Sequence, residues 1–320
     1  MKYGDVTLGQ VEAAINKLGG QKVWDAWLRG EVTVEVEEVI RILFDKHGRR
    51  IPQGLQANVC DANRDFHLDQ PELATVVDYA NRILRLHGAL GIDTGITAEQ
   101  FKQETERLLA LIRGNSQIAN ITNGVWLPVV LPWLTTDDLE TTLGQCLEQY
   151  LEAVGKSYEK TFSNRKFYNY RKGTLAGEVS FIDRESQREL IFKMKQGPVM
   201  GIHFPNPLQG FSINASREQM STLPPARAAK EGFHRTQFTG IQAREGFILS
   251  GLDTAIAMIM YPDILARDCN TPRLDLAALS FHSTDYSLDF LVRGSGLGFD
   301  YTLDLASADG SYTSGLLFVG

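Results

Sequence analysis

The sequence predicts an α+β protein, in which an all-helical N-terminal domain precedes a C-terminal domain with a largely antiparallel sheet and one or two helices. The pattern of apolar residues is the main reason. As far as about Gly173 they recur at helical spacing; beyond it they fall in short alternating runs separated by glycines and prolines. Bulk agrees, because 320 residues that are 43% hydrophobic and 22% charged suffice for two cores. The joint is expected between Asn164 and Leu175, giving a helical hairpin module at 1–30, a helical domain at 31–165 and an α+β domain at 174–320.

In chain order, Leu8, Val11, Ile15 and Leu18 form one helical stripe after a cap at Thr7, stopped by Gly19-Gly20. Val23, Trp24, Trp27 and Leu28 form a second, stopped at Gly30. The text Val11-Glu12-Ala13-Ala14-Ile15-Asn16-Lys17-Leu18-Gly19-Gly20, with Trp27-Leu28-Arg29-Gly30-Glu31-Val32, resembles the opening module of a group of uncharacterised bacterial proteins. The resemblance covers about a tenth of the chain, implies a portable helical module and carries over no functional residue.

Val36, Val39, Ile40, Leu43 and Phe44 predict a helix over 35–46, broken at His47-Gly48. Another is expected from Glu72 to His87, with Asp69 as cap and Pro71 in its first turn. Gly91 to Ile96 could be a degenerate partner to the loop at 61–72, with Ile96 facing Leu68, but it is short of carboxylates and reads better as a turn, with Thr97 and Gln100 as the capping box of a helix reaching Arg113. The run from Val125 to Leu134 carries two prolines, is half a membrane span in length and is expected as a buried connector. Thr136 caps a long helix to about Phe162, whose stripe of Leu139, Leu143, Leu147, Tyr150, Leu151, Val154 and Tyr158 is expected to be core.

Strands are expected at 178–182, 190–194, 199–204, 246–249, 274–281, 286–292, 298–303 and 315–319, with helices near 252–261 and 226–232. Arg293-Gly294-Ser295-Gly296-Leu297-Gly298 superficially matches a phosphate-cradling loop. The alternation that follows it predicts a hairpin turn instead.

One stretch carries candidate chemistry. Asp61, Asn63, Asp65, Asp69 and Glu72 place oxygen-bearing side chains at positions 1, 3, 5, 9 and 12 of a loop, and a hard cation such as Ca²⁺ takes roughly six to eight oxygens. The spacing resembles the EF-hand calcium-binding loop, which implies side-chain ligation by Asp61, Asn63 and Asp65 and the backbone carbonyl of His67. It further implies Asp69 acting directly or through water, bidentate closure by Glu72, and Leu68 as the apolar residue beside the metal. Phe66 departs from the pattern, which has glycine there; a left-handed backbone at Phe66 costs about 1–2 kcal/mol. The metal-free alternative is a capped loop that accounts for Asp69, Pro71 and Glu72 but not for the alternation of Asp61, Asn63 and Asp65. A single Ca²⁺, structural rather than switching, is the cofactor and partner expected.

The net charge of −7 gives no overall attraction to nucleic acid or anionic membranes. Three separated cysteines, Cys60, Cys146 and Cys269, make neither a disulfide framework nor a zinc ribbon. With no apolar leader in view, the expected setting is cytoplasmic. Two alternatives stay open. Arg165-Lys166-Phe167-Tyr168-Asn169-Tyr170-Arg171-Lys172 interleaves cations and rings as a single-strand-binding segment does. His203, His234 and His282 could converge with Cys269 or Asp253 as an enzyme site, although no nucleophile elbow or H-E-x-x-H pair is present.

Overall fold

The computed structural model describes residues 66–320 apart from 116–117, 135–138, 221–245, 295 and 308, and before 66 only Lys22, Asp25, Ala26 and Arg29. The expected hairpin module, the helix at 35–46 and that at 226–232 lie outside the described residues, save for those four positions. Elements are numbered from Val76 onward. The helices are α1 (Val76–Leu90), α2 (Ala98–Gly114), α3 (Leu139–Thr161), α4 (Arg184–Gln196), α5 (Ile213–Met220), α6 (Leu252–Met260) and α7 (Pro262–Leu265). The strands are β1 (Leu127–Leu131), β2 (Lys166–Asn169), β3 (Val179–Phe181), β4 (Val199–Phe204), β5 (Phe247–Leu249), β6 (Arg273–Asp275), β7 (Leu279–Phe281), β8 (Ser287–Arg293), β9 (Gly296–Thr302), β10 (Tyr312–Ser314) and β11 (Leu316–Phe318).

The expected fold class, helices first and sheet afterwards, is corrected. Helices are not confined to the N-terminal half: α4 to α7 alternate with strands of three mostly antiparallel sheets. The first sheet runs β1-β4-β11-β5 and is antiparallel throughout; the second runs β10-β6-β8-β9-β2, with parallel pairs at both ends; β3 and β7 form the third. The mixing has a physical cause in the run expected as a connector. Leu127-Pro128-Val129-Val130-Leu131 is buried at every residue and pairs with Val199–His203 of β4. Pro128 is tolerated because β1 is an edge strand and needs no donor on its open side.

Around this sheet the apolar residues close one large cluster, from Leu68 and Tyr79 to Leu317 and Val319, and a second on its other face around Ile202, Phe204, Leu316 and Phe318. The expected α3 stripe is core where described: Leu143, Leu147, Tyr150, Leu151, Val154 and Tyr158 are buried. Thr97 and Gln100 form the expected capping box of α2. The glycine-rich text after β8 is the expected hairpin, Arg293 pairing with Gly296 across a turn in which Gly294 has φ 55°.

Three local expectations fail for identifiable reasons. Residues 190–194 are helical, because Asp183 caps Ser186 N–H and the buried Gln187, Leu190 and Met194 recur at helical, not alternating, spacing. The run 274–281 divides into β6 and β7. The helix expected from Glu72 begins at Val76, where Asp78 accepts from Thr75 N–H at 2.7 Å. Upstream, the Gln70 amide bonds both backbone groups of Trp126, at 2.9 and 3.1 Å, and residues 69–72 are not helical.

At the centre lies α6, all nine residues of which are buried. A helix buried all round requires partners on every side, and α3, α1 and β1 supply them. Its last carbonyls are not left orphaned: Ile259 O accepts from Ser157 Oγ at 2.6 Å and Met260 O from Arg82 and Arg85 at 3.1 and 3.2 Å. Both guanidiniums also grip Asp263, so cations gather where the helix dipole favours them. Tyr261 just beyond donates to Pro128 O at 2.7 Å, tying the helix end to the edge strand.

Among the described glycines the tightest approach is at Gly144 of α3, where an added Cβ would sit 1.8 Å from Leu175 O. That contact docks the start of the second half onto α3, helped by Leu175 N–H donating to Glu148 at 3.1 Å. Gly144→Ala should therefore lower unfolding free energy by about 3 kcal/mol, measured by denaturant titration, because backbone has to move.

Candidate functional site

The loop residues come first. Asp61, Asn63 and Asp65 lie outside the described residues; His67, Asp69 and Glu72 lie within them. Leu68 is 1% exposed and built into the large cluster. His67 N–H donates to Asn270 O at 2.8 Å, and Phe66 O accepts from Gln209 Nε2 at 3.0 Å. Arg267 reaches from the other side: Nη2 donates to His67 Nε2 at 2.9 Å and Nη1 to the Asp69 carboxylate, while Nε donates to Asp268 at 2.9 Å. Glu72 is exposed in the non-helical segment ahead of α1, at the rim of a cleft of about 570 Å³ between α1 and α3. Among the described residues no three His, Cys, Asp or Glu side chains are grouped to hold a metal ion.

Of the histidines weighed for catalysis, His203 meets Asp253: Nδ1 donates to Oδ2 at 2.8 Å, with the pair 0% and 3% exposed. Ser250 Oγ lies 3.3 Å from the same Nδ1, and Gly251 N–H donates to Asp253 Oδ1 at 2.7 Å. Burial alone would raise the Asp253 carboxyl; the bonds from His203, Ser250 and Gly251 outweigh it and hold the group below the usual carboxylate range. A general base needs its free nitrogen toward the nucleophile. Here the serine shares the Nδ1 side, and Nε2 faces no partner in a buried place. The arrangement joins β4 to the start of α6. His282 instead pairs with Glu178 at 2.8 Å, Cys269 is exposed next to Asn270, and His234 lies outside the described residues.

The second sheet carries a constellation the sequence reading missed. Across three strands Asp275, Asp289 and Asp300 stand in register, one opposite the next. Arg273 donates to Asp289 at 2.7 Å and lies 3.4 Å from Asp275, with Tyr312 against its guanidinium. Burial pushes Asp275 up to about 8, against the opposing charges of Arg273 and Arg217, and Asp289 up to about 6, against Arg273. A signal existed in the sequence: a two-residue turn at Gly294-Ser295 pairs 293 with 296, and counting back four residues on each side sets Asp289 opposite Asp300.

The basic-aromatic segment runs beside this row as β2, parallel to β9. Phe167 packs inward on Phe290, while Tyr168 and Tyr170 are 48% and 59% exposed. Three of its four cations are engaged, Lys166 with Glu159 at 3.3 Å, Arg171 with Asp300 at 2.9 Å, and Arg165 with Arg267 O and the Phe162 ring, while Lys172 is exposed.

Asp275 and Asp289 have folded-state values above the ordinary carboxylate value, so folding is favoured where both states are protonated and loses ground as pH climbs from about 4 toward 6 and 8. Asp275→Asn removes one of these terms. Its stability relative to the parent should rise between pH 5 and pH 8 by roughly 2–4 kcal/mol and level off above. Melting curves of both proteins across that range check this, and a pH-independent difference would contradict it.

Comparison with family models, curated proteins and solved structures finds no match to this chain.

Proposed function

We propose that the chain binds one Ca²⁺ at the loop 61–72, where the ion serves a structural purpose. The observation that carries the reading is the spacing of Asp61, Asn63, Asp65, Asp69 and Glu72 about Leu68, the position that the pattern makes apolar and that is 1% exposed. The second half of the loop is already anchored through His67 N–H and Leu68, which reduces the ordering needed on binding. Asp69 is turned to Arg267, which suits a ligand acting through water better than direct ligation. Glu72 lies ahead of the helix rather than in its first turn, so closure involves the chain between Asp69 and Thr75. Binding would then tie this segment to the start of α1, and ion affinity would add to folding stability.

Thermal unfolding with Ca²⁺, with Mg²⁺ and with chelator tests the reading. At a Ca²⁺ concentration about a hundred times Kd the gain is about 2.7 kcal/mol, and Glu72→Ala or Asp61→Ala should remove it. Superimposable curves in Ca²⁺ and chelator would overturn the proposal.

A further inference from the structure

We propose that the outer face of the second sheet binds a neutral saccharide, its ring faces resting on Tyr168 and Tyr170 and its hydroxyls met by Asp289, Asp300 and Arg293. Side chains alternate along a strand, so register decides what shares this face: Asp289, Leu291 and Arg293 of β8 stand opposite Asp300, Gly298 and Gly296 of β9, with Tyr168 beside Gly298.

The two glycines leave the floor bare. A Cβ on Gly296 would meet the Tyr168 ring at 2.6 Å, and one on Gly298 would meet the Tyr170 ring at 3.4 Å, so each ring lies over a glycine. The rings are stacked, 17° from parallel with centroids 6.3 Å apart, close to the rise of two strand residues, and each is about half exposed. Beside it is a cleft of about 140 Å³, lined by Asp289, Asp300, Arg273 and Arg293. That is smaller than an enclosed drug-sized pocket and suits a ring lying flat.

Charge selects the class of ligand. Two carboxylates and two guanidiniums line the cleft, and Arg273 and Arg171 are each already paired with a carboxylate, at 2.7 and 2.9 Å. A phosphate chain would run past the carboxylates of Asp289 and Asp300, with Arg273 and Arg171 already paired, whereas a neutral polyol uses acceptors and donors together. Sugar rings add apolar C–H faces that match the exposed faces of tyrosine.

Native gel retardation in soluble neutral polysaccharides (a β-glucan, an arabinoxylan and a galactomannan) tests the assignment, with a labelled single-stranded oligonucleotide as comparison. At least one polysaccharide should retard the protein. Tyr168→Ala/Tyr170→Ala should weaken retardation about tenfold or more, and Tyr168→Phe should keep it. Asp300→Asn, at a half-exposed side chain, should also weaken it and guards against misfolding of the double variant; melting temperatures verify that all are folded. Retardation by none of the three, retardation indifferent to the tyrosine and aspartate changes, or tyrosine-dependent binding of the oligonucleotide alone would overturn the proposal. None of these outcomes depends on Ca²⁺ at the loop.

Discussion

Burial of a helix on every side is the constraint from which the rest of the structure follows. Leu252 to Met260 cannot be solvated on any side, so helices and an edge strand from the first half of the chain surround a helix from the second. The ends of such a helix are its weak points, since peptide groups there lack partners and water is excluded. Asp253, held by His203, accepts from Gly251 N–H at one end; Ser157, Arg82 and Arg85 donate to carbonyls at the other. These polar contacts also fix which elements meet, because Ser157 belongs to α3, the arginines to α1 and His203 to β4.

The same logic separates structural from functional charge. His203 and Asp253 are buried among apolar neighbours and act as a peg between strand and helix. Arg217 is comparably buried and donates to the carbonyls of Ala277, Leu279 and Thr284, bracing the link between β6 and β8. Asp275, Asp289 and Asp300 grade from buried to half-exposed along one row, so a line of charge emerges from the core onto a face carrying two open aromatic rings. A gradient of this kind is expected where a rigid scaffold presents polar groups to a ligand.

Much of the local structure was legible. The Thr97–Gln100 box, the α3 stripe and the β8–β9 hairpin each rest on interactions within a few residues, and all are found. Residues 190–194 were misread because five apolar-rich residues fit either period, and only the Asp183 cap and Gln187 decide for helix. Pro71 and Glu72 gave a good local helix start that a remote partner overrode, Gln70 clasping Trp126 across 56 residues. The carboxylate row was readable in part, through the turn that sets the register of β8 and β9. Its third member required β6 to be placed beside β8, which no spacing within either strand specifies.

By itself the sequence determined the periodicities, caps and turns, and the crowding of oxygen-bearing side chains between Asp61 and Glu72, since these depend on neighbours along the chain. Tertiary structure alone decided that the two halves share a core, that His203 meets Asp253 rather than Cys269, and that Tyr168 and Tyr170 lie over glycines of β9. Those outcomes depend on how apolar surface is shared among elements distant in the chain, a competition settled only when all of them pack at once.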